Sequence, residues 1–177
     1  FLYNQKVDLV DSKKNLETLI KEIEDVVKNS FKEAYDEIDK NFNYMCKEIL
    51  NNSIGNLSLL DETDLLESGV ELMVKFKNKK YQSLSLLSGG EKSMVAVALI
   101  MAIFMYKPSP FTFFDEIEAA LDESNTKRLL RKLKEFTDRS QFILITHNKH
   151  TMKESDQLYG VTMNKEIGES KILSVVL

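Results

Sequence analysis

The sequence predicts an α/β protein, a mostly parallel sheet flanked by helices with one long helix ahead of it. Three observations lead there. Residues 1–52 contain neither Gly nor Pro and repeat apolar side chains at helical spacing. Two short apolar runs, 111–114 and 141–145, lie on either side of a helix-like segment, the strand–helix–strand pattern of a parallel sheet buried on both faces. The only two prolines, Pro108 and Pro110, close the helix that precedes the first run. With 177 residues and 43% apolar content, the chain can build one core of ordinary size.

In the first element, Leu16, Ile20, Ile23, Val27, Phe31, Ala34, Ile38, Phe42, Met45 and Ile49 recur in steps of three and four. The mean step, about 3.67 residues, drifts from the 3.5 repeat of a left-handed coiled coil, so the distal part is expected to pack on a globular body. Leu2, Leu9 and Leu16, seven apart, fit the foot of a coiled coil. The boundary falls near 52, with 1–52 as the arm and head helix and 53–177 as the globular lobe. After Asn51-Asn52-Ser53, Gly55 reads as a turn. Leu57 to Leu60 and the alternating Val70, Leu72, Val74 and Phe76 read as strands, with a turn at 78–80. A helix follows from Ser88 to about Lys107, then strand 111–114, helix 123–136 and strand 141–145. Strand-like segments 158–163 and 172–177 end the chain.

Composition excludes several classes. Twenty-four Lys and Arg against 28 Asp and Glu leave −4, which rules out a generally basic coat for nucleic acid. A single cysteine, Cys46, forms no internal disulfide and points to a reducing compartment. One cysteine and two histidines are too few soft ligands for a structural zinc. The longest apolar stretch, 94–106, lies between Lys92 and Lys107 and falls short of an uninterrupted membrane span. Phe1-Leu2-Tyr3, followed at once by polar residues, does not read as a signal peptide, and the chain is expected to be a piece of something longer.

Three stretches carry chemistry. Ser88-Gly89-Gly90-Glu91 opens a helix with a capping box, which by itself is local structure. The same glycines would also let a phosphate approach unpaired amides at the positive end of the helix dipole. Asp115 and Glu116 end an apolar strand, where ligands of open parallel sheets bind; they are either the start of a loop or a Mg²⁺-holding acid followed by a water-positioning one. His147 ends the strand 142–145 and is either a loop residue or a reader of a terminal phosphate. Lys127, Arg128, Arg131, Lys132 and Lys134 crowd one helix whose Leu129, Leu130, Leu133 and Phe136 face inward, so the charges read as a solvated face rather than a DNA contact.

Order and spacing together are more specific than any one stretch. Leu-Leu-Ser-Gly-Gly-Glu-Lys-Ser at 86–93, Phe-Phe-Asp-Glu-Ile-Glu-Ala-Ala-Leu-Asp at 113–122 and Ile-Thr-His-Asn-Lys at 145–149 resemble the signature motif, Walker B strand with D-loop, and switch histidine of an ABC-type (P-loop NTPase) ATPase head. With Leu-Tyr-Gly-Val-Thr-Met at 158–163, the text is similar to bacterial SMC (structural maintenance of chromosomes) proteins over nearly the whole chain. Glu118 stands where Asp is usual, Asn148 where Arg is frequent, and the usual Pro-Pro-Gly before Lys79-Lys80 is absent. None of the six glycines begins the Gly-x-x-x-x-Gly-Lys-Ser/Thr pattern of a P-loop, so the chain reads as the C-terminal half of such a head.

The resemblance implies an ATPase acting in chromosome condensation and segregation, with ATP and Mg²⁺ as cofactors. Asp115 would support Mg²⁺, Glu116 would act as the catalytic base or water-positioning residue, and His147 would sense the γ-phosphate. Ser88, Gly89 and Gly90 would bind the γ-phosphate of ATP held by the opposite head, with Asp122 in the D-loop across the same interface. It also implies as partners the N-terminal half of the same head, a second SMC head, a kleisin subunit and DNA, in the cytoplasm at the nucleoid and away from membranes. The rival readings are an SMC-like repair ATPase of the RecN type and a nonenzymatic kleisin-binding lobe.

Overall fold

The computed structural model describes residues 1–61, 63–164 and 168–176. Its elements in chain order are α1 (Leu2–Ile49), β1 (Ile54–Leu59), β2 (Val70–Lys75), β3 (Gln82–Ser83), α2 (Gly89–Tyr106), β4 (Phe111–Asp115), α3 (Glu123–Glu135), β5 (Gln141–Ile145), α4 (Lys149–Glu154), β6 (Gln157–Asn164) and β7 (Glu169–Val176). The strand expected at 172–177 is the second half of β7, and its last residue, Leu177, lies outside the described residues.

Helix α1 runs 48 residues, roughly 72 Å at 1.5 Å per residue. Its two halves differ, as the drifting repeat predicts. Leu16, Ile20, Ile23 and Val27 are exposed, whereas Phe42, Met45, Cys46 and Ile49 are wholly buried. The buried half packs against α2, whose inward residues include Val95, Ala98, Met101 and Ala102, and the core continues through Leu57, Val74, Leu129 and Leu133. Each fully buried large side chain contributes about 1.5–3 kcal/mol relative to exposure. By length and composition α2 could cross a membrane. Here its buried stripe is instead part of the core.

Strands β1, β2 and β3 form an antiparallel sheet in that order, with Leu57 opposite Leu72. The free edge of β1 is covered by α1. Tyr35 OH donates to Leu57 O at 2.8 Å, the Leu57 amide donates to Asp39 Oδ1 at 2.6 Å, and Asn43 Nδ2 donates to Gly55 O at 2.8 Å. Residues 35, 39 and 43 are one helical turn apart, so a polar stripe on α1 satisfies backbone groups that an edge strand would otherwise leave open.

Four expectations need correction. Gly55 is no turn: it lies within β1, where an added Cβ would sit 2.5 Å from Cys46 Sγ and 2.7 Å from a ring carbon of Phe42. The reversal falls to Asn51 and Asn52, both in the left-handed region that asparagine tolerates. The sheet is not mostly parallel. Among the described residues only β4–β5 pairs in parallel, while β1–β2, β2–β3 and β6–β7 are antiparallel. Nor is β4–β5 buried on both faces, because Phe111, Phe113, Ile143 and Ile145 are exposed on one side. An unbroken apolar run records what a strand can bury, and the described chain covers only the face beneath Phe114 and Phe142, whose rings stack at 6.1 Å. Finally, Lys132 leaves the solvated face of α3 and turns inward.

Candidate functional site

Parallel pairing sets the site. Asp115 lies opposite Ile145, so β4 and β5 end side by side, and the Glu116 amide extends the ladder by donating to Ile145 O at 2.9 Å. Asp115 ends β4 exposed to solvent. Glu116 then takes φ +46°, a left-handed conformation that costs a non-glycine residue about 1–2 kcal/mol and marks a turn fixed by its surroundings. From there Glu116 Oε1 meets His147 Nδ1 at 3.1 Å. An ionised carboxylate only accepts, so Nδ1 is the donor and Nε2 points away from the pair. Both side chains are open to water, at 53% and 78% exposure.

Behind this exposed pair is a buried one. Glu118, only 6% exposed, receives hydrogen bonds at Oε1 from the hydroxyls of Thr146 and Thr151, the latter at 2.9 Å. Thr146 Oγ1 in turn accepts from the Asn148 amide at 2.9 Å, and Asn148 Oδ1 caps α4 by accepting from the His150 amide at 2.8 Å. The sequence offered two signals for this group, the departures at Glu118 and Asn148. It offered none for the two threonines.

The start of α2 is capped as the sequence predicts. Ser88 Oγ accepts from the Glu91 amide at 3.5 Å, and Glu91 Oε2 accepts from the Ser88 amide at 3.1 Å and from its hydroxyl at 2.8 Å. Lys79, from the turn between β2 and β3, adds an ion pair at 2.7 Å to Glu91 Oε1. That ammonium, with the Ser88 amide and hydroxyl, pulls the Glu91 carboxyl down to about 2. Gly89 and Gly90 have no atom within 4 Å of where a Cβ would stand, so the helix start is open in front of them.

Asp122 caps α3, accepting from the Asn125 amide at 2.7 Å. Buried Asn125 also reaches Met94 Sδ on α2 at 3.1 Å, which ties the cap of one helix to the first turns of the other. The structure thus joins Glu116 with His147 directly and connects Asp122 to α2 through Asn125. No hydrogen bond or ion pair among the described residues joins Ser88 to Asp115 or Glu116. Nor do those residues hold a cluster of three or more His, Cys, Asp or Glu able to bind a metal ion. A Mg²⁺ ion needs no such cluster, because it takes one or two carboxylates and completes its shell with phosphate and water oxygens; a lone, exposed carboxylate such as Asp115 is compatible with that chemistry.

A family model described as the RecF/RecN/SMC N terminal domain matches residues 4–169. The chain is 62% identical over 174 residues, 98% of its length, to the chromosome partition protein Smc of Fusobacterium nucleatum, and 43% identical over all 177 residues to that of Bacillus subtilis. It spans only 15% of each of those proteins. Among solved structures it is similar to the Smc head domain of Pyrococcus furiosus, which carries an extended coiled coil and is bound to the C-terminal domain of ScpA. The TM-score is 0.83 at 34% identity, covering 99% of this chain and 44% of that one. A chain solved in work on ATP-driven dimerization and DNA-stimulated activation of SMC ATPases matches at TM-score 0.76 and 34% identity, covering 84% of this chain and 89% of that one. The fold is therefore an α/β fold of the SMC ATPase head type, with a long N-terminal helix.

Proposed function

Given that this chain belongs to the RecF/RecN/SMC N terminal domain family, we propose that it is the C-terminal half of an ABC-type ATPase head in an SMC chromosome partition protein. The observation that carries this reading is the contact of Glu116 with His147 across the ends of two adjacent parallel strands, beside Asp115. Residues 1–52 are the arm returning into the head, and 53–177 are the lobe. The lobe completes its ATP site with an N-terminal half that brings the P-loop, a pattern these 177 residues do not contain.

In this reading Asp115 holds Mg²⁺, whose charge, when bound, eases the build-up of negative charge on the phosphates. Glu116 orients the attacking water and takes its proton. His147 keeps that carboxylate aimed through Nδ1 and, when both ring nitrogens carry a proton, donates from Nε2 to the γ-phosphate. Ser88, Gly89 and Gly90 serve the ATP of a second head: their open helix start offers amides to its γ-phosphate, and the Ser88 hydroxyl exchanges Glu91 for a phosphate oxygen. Asp122 lies in the same head-to-head interface. ATP binding joins the heads and hydrolysis parts them, because these contacts exist only while the γ-phosphate is present. A kleisin and DNA are the partners, in keeping with the ScpA-bound and DNA-stimulated relatives, and the place of action is the nucleoid in the cytoplasm, away from membranes.

In the complete head, Glu116→Gln is expected to slow hydrolysis about 10²-fold or more while ATP-dependent head pairing, read by sedimentation, persists. This chain alone is expected not to turn over ATP. Normal turnover by Glu116→Gln, or turnover by this chain alone, would remove the assignment.

A further inference from the structure

We infer that Glu118 is a positioning residue for hydrolysis: its buried carboxylate clamps the loop after β4 to the loop after β5, and so holds Glu116 against His147. The inference rests on the functional reading above and adds to it a residue that never touches nucleotide.

Glu116 and His147 stand mostly in water, with little around either ring or carboxylate to fix it. Their 3.1 Å contact must therefore be set by the backbone from which each projects. Glu118 lies two residues after Glu116, and the turn between them is closed by the Ala119 amide on Glu116 O at 2.9 Å and the Leu121 amide on Glu118 O at 2.9 Å. Thr146 lies immediately before His147. Its hydroxyl has one proton, which goes to Glu118, so its lone pair is oriented toward the Asn148 amide immediately after His147. Both peptide neighbours of His147 are in this way fixed from the Glu118 carboxylate. Thr151 makes a second attachment on α4 to the same oxygen.

No cation lies within ion-pair distance of Glu118 among the described residues. Its partners are instead two hydroxyls, one from the loop after β5 and one from α4, so these hydrogen bonds depend on how those segments sit against the loop after β4. A buried carboxylate costs stability unless such donors stay in place, so the arrangement of lowest energy is also the one that aligns the pair outside.

The test uses the complete head, wild type and variants, with ATP turnover, ATP-dependent pairing, and amide exchange of segment 145–152 in the nucleotide-free protein. Glu118→Ala is expected to lower kcat about tenfold or more, leave KM for ATP and head pairing within about twofold, and speed exchange at Asn148. Glu118→Gln keeps an oxygen that accepts both hydroxyls and is expected to recover kcat to within about threefold of wild type. A merely structural residue would not separate kcat from KM or be rescued by the amide. If Glu118→Ala does not fold, Thr146→Val removes the same link from the other loop and is expected to lower kcat likewise. Wild-type kcat in Glu118→Ala or in Thr146→Val, or equal impairment in Glu118→Gln, overturns the inference. A wild-type head without ATPase activity, or an unimpaired Glu116→Gln, overturns the functional reading instead.

Discussion

Lys132 Nζ lies 2.8 Å from Glu48 Oε2 across the seam between α3 and α1, with only 6% of its side chain exposed. Glu135 at 2.9 Å and Tyr44 OH at 2.7 Å complete its shell. Burial alone would lower the ammonium's pKa, but these three oxygens together outweigh it and raise the value above the ordinary lysine range. The long helix and the helix capped by Asp122 are therefore joined by charge as well as by packing.

Lys132→Met keeps most of the packing volume and removes the charge. Breaking a buried pair by deleting one partner can cost about 3–5 kcal/mol. Glu48 and Glu135 remain partly wetted, so the expected loss is smaller, about 1–3 kcal/mol in urea unfolding. An unchanged midpoint would mean that the network contributes nothing net.

The Lys79–Glu91 pair makes stability depend on acid in a defined window. Folded, the Glu91 carboxyl titrates near about 2, and unfolded near its ordinary 4.5. Between those values the unfolded chain binds more protons, so stability falls as pH is lowered. The contribution is complete above the unfolded value and gone below the folded one. Glu91→Gln, which retains the capping geometry, is expected to flatten this dependence in urea unfolding between pH 5 and pH 2. An equally steep profile in the variant would assign the acid sensitivity to other carboxylates.

Two glycines are expected to respond oppositely. Gly55→Ala drives a methyl into Cys46 and Phe42, where β1 rests on α1, and overpacking of this kind costs about 1–3 kcal/mol. Gly89→Ala meets open space in the first turn of α2 and is expected to stay within about 0.5 kcal/mol of wild type. Under the proposed function it nevertheless weakens ATP-dependent head pairing. Thermal melts and sedimentation of the two variants check both statements; comparable melting losses would refute the contrast.

Local patterns were legible in the sequence because their causes are local. The capping box at Ser88 and Glu91, the prolines after α2 and the register of α1 follow from neighbouring residues, and they appear where the spacing predicts them. The Lys132 shell was not legible, since a basic residue among four others carries no mark of burial: its partners Tyr44 and Glu48 lie more than eighty positions away. Gly55 misled for the opposite reason. Glycine signals a turn on most occasions, and only the approach of α1 shows that here it signals lack of room.

By itself the sequence determined the longer elements and their order, though not the short strand β3 or helix α4, and the placing of Asp115, Glu116 and His147 at strand ends. Hydrophobic period and capping chemistry act within a few residues, and a strand's last residue is fixed by where its apolar run stops. Only the tertiary structure decided that Glu116 meets His147, that Glu118 turns inward to two threonines, and that one face of β4–β5 stays uncovered. The first two are contacts between segments about thirty residues apart, and their geometry is set by the pairing of two strands, which no local spacing records.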